Sequence, residues 1–235
     1  MIARGLVRAG VEVIISSRKA DACAAAVEEL SQYGTASAIP ADLSSEAGTT
    51  ALAAGVAEAF PALHLLVNNA GATWGAPIGE FPDDAWDRVM DTNVRGIFNL
   101  TQSLLGPLRA AASDADPARV INIGSIDGIR TPMTENYSYS ASKAAVHMLT
   151  KHLSKRLAGE RITVNAIAPG PFPSKMTAFM LASEESRAAV DSMVPLGRIG
   201  DEDDIVGATI FLASRAGAYL TGTTIPVDGG ITGTT

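Results

Sequence analysis

Two hydrophobic periods alternate along this chain: short continuous apolar runs rich in β-branched residues, and longer stretches with helical spacing between them. Val11 to Ser16 predicts a buried strand and Asp21 to Leu30 a helix carrying Ala22, Ala25, Ala26 and Val27. Thr35 to Pro40 predicts a second strand, and Ser45 to Phe60 a helix capped by Ser44 or Ser45. Leu63 to Val67 follows as a strand, then one long helix from about Asp83 to Leu105, with Gly96 as a tolerable interruption. Val120 to Ile123 is expected as a strand, Tyr137 to Leu157 as a second long helix, and Thr163 to Ile167 as a strand stopped by Pro169-Gly170-Pro171. The rhythm then breaks. Phe172 to Pro195 mixes proline, methionine and short helical pieces and predicts a lid, before a helix from Asp201 to Leu212 and a closing strand from Thr224 to Val227.

Alternating strands and helices with short junctions predict an α/β fold, a Rossmann-type doubly wound parallel sheet forming a single domain over residues 1–235. In such sheets ligands bind beyond the carboxyl ends of the strands, so the loops after Ser16, Pro40, Val67, Ile123 and Ile167 are where chemistry is expected. The first residues already follow a helical pattern, with Ile2, Leu6 and Val7 on one side and Gly10 as a stop.

Composition narrows the function classes. With 47% hydrophobic and 18% charged residues, disorder is excluded as the main state. A net charge of -7 gives no support to nonspecific nucleic-acid binding. The single Cys23 cannot form an intramolecular disulfide, and no apolar run has membrane-helix length, so a soluble cytoplasmic protein is expected. His64, His147 and His152 lack a partner set for a metal, and none is expected.

The strand-end residues suggest the chemistry. Ser125, Tyr139 and Lys143 form the strongest constellation: the tyrosine and lysine share a helix face at i and i+4, and the serine ends the preceding strand. A phenol holds its proton too tightly for acid–base work near neutral pH, and an adjacent ammonium favours the phenolate. Asn93 could hold a water that relays protons to Lys143. Asn68-Asn69-Ala70-Gly71, directly after a strand, allows a sharp turn and close approach to a flat ligand, and its amides can also brace neighbouring strands. At the end of the first strand Ser17, Arg18 and Lys19 offer no acidic partner for a ribose hydroxyl, and Arg18 suits a 2'-phosphate. Asp42, followed by Leu43, either caps the next helix or meets an adenine amine. Tyr137 lies off the Lys143 face and is expected at the pocket entrance.

With Asn68-Asn69-Ala70-Gly71, Asn93, Ser125, Tyr139-Ser140-Ala141-Ser142-Lys143, Pro169-Gly170 and Val227-Asp228-Gly229-Gly230, the chain resembles the classical short-chain dehydrogenase/reductase family over essentially its whole length. Within it the chain looks most like 3-oxoacyl-[acyl-carrier-protein] reductases, in the branch associated with rhamnolipid synthesis, from the stretches Ile39 to Gly48, Pro117 to Ser125 and Ala168 to Thr177. The resemblance implies a hydride passed from NADPH (leaving NADP+) to the C3 ketone of a 3-oxoacyl thioester on acyl carrier protein or CoA. Tyr139 would be the proton donor, Ser125 would polarise the carbonyl, Lys143 would lower the tyrosine pKa, and Asn93 would support the relay. Ser17, Arg18, Asp42, Leu43, Asn68, Ala70, Gly71, Tyr139, Lys143, Pro169, Gly170, Phe172 and Ser174 would meet the cofactor.

A homotetramer is implied, with the two long helices as its dimer surface. Phe172, Met176, Phe179, Met180 and Leu181 fit an acyl pocket or a packed lid, and Arg130, Arg161 and Lys175 are candidates for a basic rim facing a carrier protein, diluted by Asp114, Asp116 and Glu160. Reductases of sugar, steroid or xenobiotic carbonyls, and a non-catalytic dinucleotide-binding protein, are the competing readings. The family's glycine-rich Thr-Gly-x-x-x-Gly-x-Gly loop and the strand before it, roughly 20 residues of its pattern, have no counterpart before Met1. Two expectations follow: Met1 is an internal methionine of a longer active protein, or the chain binds cofactor poorly and folds marginally.

Overall fold

The fold, from a computed structural model, is described for residues 1–174 and 177–234, with backbone alone at 179 and 180. In chain order the elements are α1 (Ile2–Arg8), β1 (Val13–Ile15), α2 (Ala20–Leu30), β2 (Ala36–Ala38), α3 (Glu46–Ala59), β3 (Leu65–Asn68), α4 (Asp83–Met90), α5 (Gly96–Ser103), α6 (Leu105–Ala111), β4 (Ala118–Ile123), α7 (Tyr137–Leu157), β5 (Ile162–Pro169), α8 (Glu184–Ser192), α9 (Glu202–Ala213) and β6 (Thr224–Val227). Ser45, not Ser44, caps α3, accepting from the Gly48 N–H at 3.1 Å. Asp201 caps α9 through the N–H groups of Asp203 and Asp204 at 3.0 and 3.2 Å. The segment expected as a lid contains a short 3-10 turn, Ala178–Leu181, and α8.

The strands pair in parallel throughout, in two sets: β1 with β2, and β3-β4-β5-β6 in that order. The expected sheet is thus divided. Between β1 and β3 runs a cleft of about 1000 Å³ whose walls include Val13, Ile14 and Ile15 on one side and Leu65, Leu66 and Val67 on the other. It continues to the carboxyl ends of β3, β4 and β5.

Period-2 alternation sends successive side chains of the larger sheet into two cores. Val120, Ile162 and Val164 pack with Leu52, Val56, Leu100, Leu104 and Leu108 on one face. Ile121 and Ile167 pack with Phe172, Ile205 and Leu212 on the other. The β1 side is tied to this body at its edges: the Arg4 guanidinium bridges Glu29 of α2 at 3.3 Å and Glu202 of α9 at 3.0 Å, while Leu6 and Val7 of α1 are buried.

The expected long helix from Asp83 to Leu105 is not continuous. A π-helical segment, Asp91–Arg95, separates α4 from α5, and α6 begins after a break at Leu104. The apolar spacing does not carry this wider turn, which sits where Asn93 is fully buried and its amide bonds the main chain of Ala72 in the loop after β3.

Candidate active site

The end of β4 delivers Ser125 in extended conformation into a 3-10 turn, Ile126–Gly128, and its Oγ accepts from the Asp127 N–H at 3.1 Å. This turn rests directly on α7. A Cβ on Gly128 would lie 2.5 Å from the main-chain carbon of Lys143, so only glycine permits the approach that sets Ser125 against the helix.

On α7, Tyr139 and Lys143 are one turn apart and both face the cleft. The Lys143 Nζ donates to the Ile123 carbonyl at 2.7 Å and lies 5.5 Å from the centre of the Tyr139 ring. Burial pulls the Lys143 ammonium down to about 8. Tyr139 departs from expectation: its phenol is raised rather than lowered. Burial is the main cause, a hydrogen bond with Ser125 opposes it, and the negative charge of Asp127 adds to it. The Lys143 ammonium, for its part, is directed at the Ile123 carbonyl.

Asn93 serves as a brace. Its Oδ1 accepts from the Ala72 N–H at 2.7 Å, and its Nδ2 donates to the Ala72 carbonyl and to Ser142 Oγ, both at 2.9 Å. Ser142 Oγ in turn donates to the Tyr139 carbonyl at 2.7 Å. These bonds tie the loop after β3 to the helix that carries Tyr139 and Lys143.

A family model described as enoyl-(acyl carrier protein) reductase matches residues 1–232. The chain is 48% identical to the rhamnolipids biosynthesis 3-oxoacyl-[acyl-carrier-protein] reductase of Pseudomonas aeruginosa, over 98% of this chain and 90% of that protein. The chain belongs to the classical short-chain dehydrogenase/reductase family. A solved structure described as the Pseudomonas aeruginosa RhlG/NADP active-site complex superposes with a TM-score of 0.96 at 48% identity, covering 98% of this chain and 90% of that one. A 3beta-hydroxysteroid dehydrogenase of Eggerthella lenta is 38% identical over 88% of this chain and 77% of its own length.

In this dehydrogenase/reductase the residues expected at the cofactor fall into two groups. Leu43, Asn68, Ala70, Gly71, Tyr139, Lys143, Pro169, Gly170, Phe172 and Ser174 all border the cleft. The Asn68 amide, however, is engaged inside the protein, donating to Thr101 Oγ1 at 3.2 Å and Asn122 Oδ1 at 2.9 Å, so it braces strands. Ser17 and Arg18 are exposed at the end of β1. Asp42 accepts from the Ser44 N–H at 3.0 Å and Oγ at 2.7 Å; these bonds, with a smaller effect of Arg18, hold its carboxyl below the usual range. Its geometry is that of a turn former before α3.

Gly96 is a site residue that the sequence pattern presents as an interruption. A Cβ there would lie 2.4 Å from the Leu43 carbonyl, so glycine lets α5 approach the loop after β2. Tyr137 stands at the start of α7, edge-on to Phe81 at 6.0 Å, with its hydroxyl on Glu135 at 3.3 Å. Among the basic-rim candidates, Arg161 pairs with Asp114 just before β5 begins, at the opposite end of the sheet from the site, and so does not belong to its mouth. Met176 and Lys175 lie outside the described residues, as do the side chains of Phe179 and Met180. Among the described residues no group of His, Cys, Asp and Glu is placed to hold a metal, and no helix is long and apolar enough to cross a membrane.

The donor set fits a dinucleotide. Glycine and small residues at the ends of β3 and β5 allow flat approach, a lysine and hydroxyls stand at one end of the cleft, and the exposed Arg18 guanidinium stands past β1.

Proposed function

We propose that this chain is an oxidoreductase that uses NADPH to reduce the C3 ketone of a 3-oxoacyl thioester to the 3-hydroxyacyl product. The observation that carries the reading is the convergence of Ser125, Tyr139 and Lys143 at the cleft end, in a chain sharing 48% of its residues with a 3-oxoacyl-[acyl-carrier-protein] reductase. Bound in the cleft, NADPH supplies the hydride. Ser125 donates a hydrogen bond to the ketone oxygen, and Tyr139 gives that oxygen its proton as the carbonyl becomes an alcohol. Raised by burial, the phenol is fully protonated at neutral pH, which suits a proton donor. Lys143, with a pKa of about 8, is placed to return the proton to the tyrosine. Asn93 holds the Ala72 loop and α7 in register. Leu43, Ala70, Gly71, Pro169, Gly170, Phe172 and Ser174 form the cofactor wall, while Ser17, Arg18 and Asp42 face the adenosine end.

In this reading residues 1–235 act as one domain with a lid at about 172–195, in the cytoplasm, with acyl carrier protein or CoA carrying the substrate. Exposed Phe98 on α5 and Met148 on α7 support packing of these helices against another copy, as in a homotetramer. The test is NADPH oxidation with 3-oxoacyl carrier-protein and CoA thioesters, a 3-oxosteroid and a ketose. Turnover dominated by thioesters is expected. Turnover confined to the steroid would replace the reading with the one that the Eggerthella lenta relative favours, and NADPH binding without turnover of any carbonyl would favour a binding protein.

A further inference from the structure

Asp127 is an ionisable side chain beside the reacting groups that the chemistry above does not use. It lies two residues after Ser125 in the 3-10 turn, and two bonds fix it. Its N–H donates to Ser125 Oγ at 3.1 Å, and its carboxylate Oδ2 accepts from Asn136 Nδ2 at 3.2 Å. Asn136 is the cap residue of α7, and its carbonyl accepts from the Ser140 N–H at 3.1 Å. The carboxylate therefore ties the turn that presents Ser125 to the first turn of the helix that presents Tyr139.

The charged surroundings are few. Arg130 on the same loop acts on Asp127 and also on Asp228 beyond β6; Lys143 and His147 lie further along α7. Burial raises the Asp127 carboxyl, with Asn136 and then Arg130 opposing. Oδ1 of Asn136 and Nε of Arg130 are buried without hydrogen-bond partners among the described residues, so the cluster tolerates a polar cost at this place.

We propose that Asp127 is a positioning residue: bridged to Asn136, it sets the turn that presents Ser125 against the helix that presents Tyr139 and holds its carboxylate near the phenol. Reduction needs the phenol to give its proton to the substrate oxygen, whereas oxidation of the alcohol needs the phenolate to take one. A neighbouring carboxylate opposes the phenolate and so keeps the phenol in its proton-donating form to higher pH. The charge argument rests on the proposed role of Tyr139 as the acid–base group.

The test reads Tyr139 directly. Tyrosinate absorbance is titrated in the full chain and in Asp127→Asn and Asp127→Glu, with the Tyr139→Phe titration subtracted to isolate the one phenol. Asp127→Asn is expected to lower the Tyr139 midpoint by about one pH unit, while Asp127→Glu, which keeps the charge, stays close to the parent. With the enzyme turning over, the basic limb of the pH profile of ketone reduction should move down in Asp127→Asn together with the phenol midpoint. An unchanged midpoint in folded Asp127→Asn overturns the proposal, as does an equal shift in Asp127→Glu. Should Asp127→Asn not fold, Asn136→Ala keeps the charge and removes only the bridge; it should lower kcat with little change in KM, and an unchanged kcat overturns the positioning role. Because the titration needs no substrate, failure of every thioester to react would remove the substrate reading and leave the Asp127 result standing.

Discussion

In β4 and β5 nearly every residue is buried from both sides, whereas β1 and β2 contain no buried residue, only half-buried and exposed ones. Both sets are parallel and both end at the same cleft. The proposed division of labour follows that difference. Ser125, Tyr139, Lys143 and Asn93, whose roles depend on placement to a few tenths of an ångström, stand on or beside the strands packed between two cores. Arg18 and Asp42, proposed to meet the adenosine end by charge and hydrogen bonding, stand on the looser pair. A proton transfer fails when donor and acceptor separate slightly; a guanidinium reaching a phosphate tolerates far more motion.

The largest expected effect tests the chemistry of the packed half. Tyr139→Phe removes one oxygen, and turnover should fall roughly 10³-fold, in the usual range for loss of a positioned acid. Cofactor affinity, measured by NADPH fluorescence titration, should change little. Retained turnover would strip Tyr139 of its role and leave the packed half without its acid.

The next effect compares the halves as structure. Leu108 is completely buried, and Leu108→Ala should cost about 2–5 kcal/mol in urea unfolding. Ile14 of β1 is half-buried at the edge of the same core, and truncating it should cost about half as much or less. Equal costs would mean that β1 is packed as firmly as the core that lies against β4, and the contrast would lose its basis.

How much of this was legible in the sequence follows the same line. The helix from Tyr137 to Leu157 has the predicted bounds, and the strand–helix alternation and the Ser125, Tyr139, Lys143 grouping hold, because continuous apolar runs and i,i+4 spacing are local signals. The π-helical turn at Asp91–Arg95 was not legible, since the apolar spacing carries no sign of it and the Asn93 amide it presents bonds a main chain twenty-one residues away. The raised Tyr139 phenol was hidden for a related reason: residue types give the sign of a lysine's effect, but burial, with the nearby Asp127 charge, decides the outcome. Gly96 and Gly128 carried a signal in principle, a glycine inside a helix and one just after a strand. Only the partner atoms reveal that both are close approaches.

A smaller effect probes the buried lysine. Burial lowers Lys143 from 10.5 to about 8, so between those values the unfolded chain binds a proton that the folded chain has released, and stability rises with pH. Below about pH 8 the folded protein carries a buried charge that costs on the order of 3 kcal/mol. Lys143→Met removes that cost but leaves the Ile123 carbonyl without its donor, which returns about 1 kcal/mol or more. The variant should therefore be inactive yet about 1–2 kcal/mol more stable at pH 7, an advantage that narrows as pH rises through 8 to 10.5. Urea unfolding at pH 7 and pH 10 checks this, and a gap that does not narrow would show that Lys143 is not buried as a cation.

The smallest effect belongs to the looser half. Arg18 is exposed past β1, beside the also exposed Lys19, so its proposed contact with a 2'-phosphate would be made in water and be partly replaceable. Arg18→Ala should raise the KM for NADPH about tenfold, near 1.4 kcal/mol, with kcat at saturating cofactor unchanged. NADH, which lacks the phosphate, should be used as before, so the preference between the two cofactors narrows by the same factor. Added salt should weaken NADPH binding to the parent more than to the variant, because the lost interaction is a screened one. If NADH and NADPH lose affinity equally, Arg18 supports its loop rather than reading phosphate. The looser pair of strands would then matter for stability alone, and the division of labour between the two halves would fail at its weaker end.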